Sequence, residues 1–285
     1  MLKVNVSATR GAGLVNEDVA GHCGGAVWVI DGATGVGEPI LFGASDAAWF
    51  ANRVNVVLRD ILRDRPAIGT RDLLMETIST CSAAFECAAH RRATDPADLP
   101  SAAFAMVRQI GDAVELTTLG DCRVAYLAAD GSPRLFGGTA LGPFEGRSIA
   151  LAEELRRANP AIDPTALKQA LLPHLRETRR LMNQPGGYWI LGTDPAAADH
   201  VDRMMLEARP GDGFALASDG FLRLIEVFGV ADAADLLGIE AERDFDAQLA
   251  RLRALESGSG SLTKYPRIKL HDDVSFAQCE YRVEG

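Results

Sequence analysis

Short apolar runs that stop at an acidic residue, several of them followed by glycine, are the feature that most restricts what this chain can fold into. "AVWVIDG" (Ala26–Gly32) ends in Asp31-Gly32, "TTLGDCR" places Asp121 after a second run, and "FALASDGF" places Asp219-Gly220 after a third. Runs this short and this apolar, bounded by turn residues, read as buried strands. Asp-Gly is also a favoured hairpin dipeptide, because glycine takes positive φ and Asp tolerates it. Taken singly, Asp31 and Asp121 read as turn residues and Asp219 as a helix N-cap.

The rest of the chain alternates in texture. Leu2–Ala8 reads as a strand, Ala26–Ile30 as a central one and Ile40–Gly43 as a further short one. Ser45 caps a long amphipathic helix with Asp46 in its first turn, and Thr70 opens another that runs to about Arg92. "SAAFAMVRQI", "AVELTTLG", "RVAYLAAD" and "SPRLFGG" follow as a meander of antiparallel strands. The chain is helical again from about Ser148 to Asn183, with a break at Pro160 and Pro164. "GYWILG", "DRMMLEA" and "GFALAS" return to strand character. Helices follow at Phe221–Val227, Ala231–Leu237 and Arg243–Glu256, then a flexible "SGSGS" link and a last strand in "DVSFAQCEYRV". Helix pairs interleaved with meanders predict an α+β fold in one domain spanning 1–285: antiparallel sheets covered by helices.

Acidic residues outnumber basic ones by ten, which disfavours binding to phosphate backbones. There is no apolar run near ~20 residues, so no membrane span is expected, and the N-terminus lacks a leader pattern. A cytoplasmic location is the resulting expectation. Cys23, Cys81, Cys87, Cys122 and Cys279 are scattered without a Cys-x-x-Cys pair, which predicts reduced thiols rather than a disulfide framework. Histidines are few; His271 is the one beside a candidate ligand, Asp272, and reads as a bystander.

The acids gain meaning together. Glu17 and Asp18 follow the first strand, Asp31 the second, Asp121 and Asp219 later ones, and Asp272 and Asp273 precede the last. If strand ends converge at one edge, these carboxylates meet. Two unit charges ~4 Å apart at an effective dielectric near 20 repel by about 4 kcal/mol. Several such pairs approach the whole ~5–15 kcal/mol net stability of a domain. Divalent cations relieve that cost, and a donor set of oxygens without Cys or His suits Mg²⁺ or Mn²⁺. A glycine beside the acid exposes its carbonyl as one more oxygen.

The order "NED", a strand ending in "DG", "GD-x-R", "SDG" and "DD-x-S" resembles the metal-dependent serine/threonine protein phosphatases of the PPM (type 2C) family, of bacterial type, over about Val6 to Tyr281. The resemblance implies a sandwich of two antiparallel sheets flanked by helix pairs. It also implies hydrolysis of phosphoserine and phosphothreonine in phosphorylated protein substrates, by a water bridging two Mg²⁺ or Mn²⁺ ions. Carried over by position, it makes Asp31 the bridging carboxylate with the Gly32 carbonyl on one ion, and gives the other ion to Asp219 and Asp272. Glu17 and Asp18 then act through metal-held waters, and Asp121 with Asp219 holds a third, weaker ion. Asp273 stands where many members have Asn, and Asp272 is preferred as the ligand. No protein nucleophile is then required, and neither a Gly-x-Ser-x-Gly elbow nor a Cys-x5-Arg loop occurs.

The sequence departs from that pattern in three places. Gly13 stands where many members carry an Arg that grips the phosphate, which leaves Arg10 as a weak substitute. Ala33 replaces the His of eukaryotic members, and Thr34 next to it offers a hydroxyl. Residues from about 144 to 183 replace the usual flap with a charged helical insertion. A catalytically weak or inactive pseudophosphatase that binds phosphoproteins as a scaffold is the alternative. A sandwich whose acids are all turns and caps is the third reading, and a monomer is expected.

Overall fold

The computed structural model describes residues 1–138 and 141–282. Its centre is β3 (Ala26–Gly32), a strand buried on both faces. Alternation along a strand sends successive side chains to opposite sides. Trp28 and Ile30 therefore pack under α1 (Asp46–Asp64) and α2 (Thr70–Ala88), while Val27 and Val29 face the other sheet. Full burial of each such side chain is worth roughly 1.5–3 kcal/mol, so two buried faces fix both register and layer order.

Two five-stranded sheets result, and every pairing in them is antiparallel. One runs β2 (Asp18–Cys23), β3, β4 (Ala102–Ile110), β5 (Ala113–Leu119), β8 (Asp202–Glu207). The other runs β1 (Leu2–Arg10), β10 (Val274–Tyr281), β9 (Gly213–Ala217), β6 (Arg123–Leu127), β7 (Pro133–Phe136). The inner layer joins Val29, Ala105, Val124, Leu216 and Ala277 from both sheets. On the outside of the second sheet, α5 (Asp219–Glu226), α6 (Ala233–Leu237) and α7 (Glu242–Ser257) cover Val6, Ala215 and Phe276. This is the α+β sandwich that the motif order implied.

Several elements differ from expectation. Ile40–Gly43 is a loop, not a strand: the Ile40 and Leu41 amides donate to the Asp46 carboxylate at 2.7 and 3.0 Å. Asp18 begins β2 and is buried, and Glu17 immediately precedes it. "GYWILG" is not a strand but makes isolated bridges, Met182 with Tyr188 and Leu191 with Ala102. The Ser257–Ser261 link is partly helical, leading into α8 (Ser261–Lys264).

The 144–183 region forms α3 (Gly142–Ala158) and α4 (Pro164–Arg179), which share a small core of Ala152, Leu167 and Leu171. Its last turn braces the loop after β3: the Arg179 guanidinium donates to the Ala33 and Thr34 carbonyls at 3.0 and 3.2 Å.

Candidate metal centre

Sheet register brings the first two acids together. Asp18 and Asp31 are direct cross-strand partners at the end of the β2–β3 pair. Asp31-Gly32 is therefore no hairpin turn; both residues complete β3 and pair with Ala103 and Ala102 on β4. Gly32 is required by proximity: its amide donates to the Glu17 carbonyl, and a Cβ there would lie 2.6 Å from that oxygen. Gly220 plays the same part, since a Cβ would fall 2.0 Å from the Asp273 carbonyl. Without side chains at these positions, the end of β3 and the start of α5 can approach their neighbours closely.

Asp121 lies in the turn between β5 and β6, and Asp219 is the first residue of α5, with Ser218 rather than Asp219 at the N-cap. Carboxylate oxygens of Asp121, Asp219 and Glu145 lie within 4.8 Å of one another, as do ligand atoms of Asp31, Asp121 and Cys122. Burial pushes the Asp31, Asp121 and Asp219 carboxyls up, and the neighbouring acids push in the same direction. Burial likewise raises Asp18 to about 7, against partial relief from the Ser218 and Ser275 side chains. Asp18 is only 5 % exposed, and its Oδ2 has no hydrogen-bond partner among the described residues. An unpartnered carboxylate oxygen beside other acids is expensive unless a proton or a cation fills the space. The buried Cys122 thiol is also driven well up, so it stays protonated.

The remaining acids are held differently. Asp272 Oδ2 accepts from Arg223 at 2.7 Å, and Oδ1 accepts from Lys269 at 2.9 Å. Asp273 is consumed by the backbone, accepting the Ala12 and Glu17 amides at 2.6 and 2.7 Å and so tying the β1–β2 loop to the end of the sandwich. Of the adjacent pair, Asp272 is the acid whose field reaches Asp219. Glu17 accepts from the hydroxyls of Thr34 and Ser45, so Thr34 is a neighbour of the acids rather than a free donor. Arg10 is corrected as a phosphate grip: its guanidinium is held by Glu242 and Asp246 at 2.9 and 3.1 Å and sits over the Phe245 ring.

Four residues around the site were missed in the sequence. Glu145 reaches Asp121 and Asp219 from the first turn of α3, and burial raises its carboxyl to about 7. Nothing in "GPFEGR" signals this. Arg223 sits four residues after Asp219 on the same helix face, and Lys269 three before Asp272, spacings that could have been flagged. Arg179 arrives from the distant α4 and carries no local signature.

The donor set is carboxylate oxygens with an orphaned Oδ2, and it fits hard divalent cations such as Mg²⁺ or Mn²⁺. Comparison with known proteins agrees. A family model described as "Protein phosphatase 2C" matches residues 8–256. No individual curated protein sequence matches. Among solved structures, the Mycobacterium tuberculosis serine/threonine phosphatase PstP/Ppp superposes with a TM-score of 0.60 at 15 % identity, covering 99 % of both chains. The catalytic domain of PstP in complex with two manganese ions gives 0.57 at 16 % identity, again covering 99 % of each. The S. agalactiae serine/threonine phosphatase gives 0.57 at 14 % identity over 100 % of both chains. At such identities these likenesses carry the fold.

Proposed function

The chain belongs to the protein phosphatase 2C family of metal-dependent hydrolases, and from that premise we propose that it hydrolyses phosphoserine and phosphothreonine in phosphorylated proteins with Mg²⁺ or Mn²⁺. The observation that carries the reading is the pairing of the buried Asp18 with the half-buried Asp31, directly opposed in register, with one Asp18 oxygen unpartnered among the described residues. A fold does not place two acids so without something to share between them. Asp31, Asp219 and Asp272 are the proposed ligands of two ions with the Gly32 carbonyl, Glu17 and Asp18 support them, and Asp121 with Asp219 offers a place for a third. Such ions, when bound, supply a reactive water and offset charge on the phosphoryl oxygens.

The chain's own residues do the rest. The opposed strand ends hold the carboxylates rigidly, as a site on strands holds better than one on loops. Glu17 fixes Thr34 and Ser45, and Arg179 fixes the Ala33 and Thr34 carbonyls, which keeps the loop after Asp31 in place. A covalent cysteine route is unsupported: burial, with Asp31 and Asp121 beside it, keeps Cys122 a neutral thiol, whereas the thiolate is the nucleophile.

The test is Mn²⁺-stimulated hydrolysis of para-nitrophenyl phosphate and of a phosphothreonine peptide, lost in Asp31→Asn and Asp219→Asn. Turnover that persists in excess EDTA overturns the reading. A second reading, a pseudophosphatase that binds phosphoproteins without turnover, draws support from Gly13 and from the two basic side chains on Asp272. Mn²⁺ binding by calorimetry without hydrolysis of either substrate favours it.

A further inference from the structure

Among the basic side chains near the acids, Lys269 is exposed as well as paired. Asp18, Asp31, Asp121, Asp219 and Asp272, with Glu145 beside them, carry up to six negative charges, and before any third ion two divalent ions and Arg223 leave them short of neutral. A phosphate monoester brings about −1.5 to −2 more. Cationic protein groups must therefore face the substrate, or its approach is repelled. Gly13 offers no side chain, and Arg10 is bound to Glu242 and Asp246. Arg223 is spent: its side chain is 9 % exposed and lies between Asp272 and the wholly buried Glu256.

Lys269 differs from all of these. Its side chain is 49 % exposed, and Nζ reaches Asp272 Oδ1 at 2.9 Å and the Thr34 hydroxyl oxygen at 3.2 Å. It thus links the segment before β10 to the loop after β3, beside the carboxylate whose field reaches Asp219. Neither partner is exclusive. A cation on Asp272 competes for that carboxylate, and a four-carbon stem lets an ammonium exchange one oxygen partner for another at small cost.

Resting on the phosphatase reading, we infer that Lys269 is the residue that grips the phosphoryl oxygens of the substrate, turning from Asp272 to the phosphate when both are present. As a compact point charge it needs no bidentate geometry, and the Thr34 hydroxyl holds it beside the loop after β3.

The experiment uses the full chain loaded with Mn²⁺ and titrated with inorganic phosphate in a calorimeter, comparing wild type, Lys269→Met and Lys269→Arg. Lys269 is half-exposed, so thermal melting should show all three folded. Lys269→Met should bind phosphate about tenfold more weakly, the loss of one charge-assisted hydrogen bond, and raise KM for para-nitrophenyl phosphate by a similar factor. Its Mn²⁺ affinity should be unchanged or tighter, because a competitor for Asp272 is gone. Lys269→Arg should recover most of the phosphate affinity. Phosphate binding by Lys269→Met equal to wild type overturns the inference. So does a fall in Mn²⁺ affinity that accounts for the weaker phosphate, since the lysine would then only position Asp272, and so does a Mn²⁺-loaded wild type that binds no phosphate. Wild type that binds phosphate without hydrolysing it defeats the phosphatase reading alone, and the variants still decide the role of Lys269.

Discussion

Two groups of buried acids lie side by side in this molecule, and the fold treats them in opposite ways. Glu256 on α7 is wholly buried, and each of its oxygens has its own guanidinium: Arg223 at 2.7 Å on one and Arg253 at 2.7 Å on the other. Arg267 closes the same pocket by donating to the Glu256 carbonyl. Asp18 and Asp31, by contrast, face each other with no basic partner, and one of their oxygens makes no hydrogen bond. The chain can plainly supply arginines to a buried carboxylate where the structure calls for them. Their absence at the strand ends marks those acids as arranged for something that arrives from outside. Asp272 stands on the boundary, sharing Arg223 with Glu256 while its field reaches Asp219.

Charge removal should separate the two groups most sharply. Glu256→Gln takes the carboxylate from the buried Arg223 and the partly exposed Arg253, a loss of about 3–5 kcal/mol expected for breaking a buried pair, and melting should fall by about 10 °C. Asp31→Asn should do the reverse: the metal-free protein melts at or above the wild-type temperature, while Mn²⁺-dependent hydrolysis disappears. Equal destabilisation by both substitutions would erase the distinction.

Metal addition comes next in size. Mn²⁺ at ~100 times its dissociation constant should stabilise the wild type by about 2.7 kcal/mol, or ~5–10 °C in melting temperature. Asp31→Asn should lose most of that shift and Glu256→Gln should keep it, read by thermal scans with and without EDTA.

A smaller effect is expected from pH. Asp18 moves from 3.8 to about 7 on folding, and Asp31, Asp121 and Asp219 move the same way, so the folded state binds more protons than the unfolded chain across that window. Their favourable contribution is complete below the unfolded values and is lost as pH rises through the folded ones. Metal-free protein should therefore melt lower at pH 8 than at pH 5.5, and saturating Mn²⁺ should flatten or reverse that slope because cations displace the protons. The smallest change is reserved for Glu145→Gln, which should weaken only the loosest Mn²⁺ in a calorimetric titration and leave melting of the metal-free protein within about 1–2 °C.

Much of this arrangement was readable before any coordinates. The double-faced burial of β3 follows from its unbroken apolar run, and the capped start of α1 from Ser45 and Asp46. Strand ends that stop at acids announced a shared edge. The strand at Asp18–Cys23 was not readable, because "DVAGHC" is too polar and too rich in small residues to signal one; it exists because β3 offers it an edge. Ile40–Gly43 misled for the opposite reason: apolar residues suggested a strand, but a carboxylate six residues downstream captured the amides.

Local pattern thus determined the layers and put acids at or just past several strand ends, Asp31, Asp121 and Asp219 among them, since alternation and burial act over a few neighbouring residues. Which acids received arginines, which were left facing one another, and which distant side chains joined them (Glu145 from α3, Lys269 across to Thr34) was decided only by the tertiary structure. A carboxylate's charge and partners depend on what lies within a few ångströms in space, and in this chain those neighbours come from segments far apart in sequence.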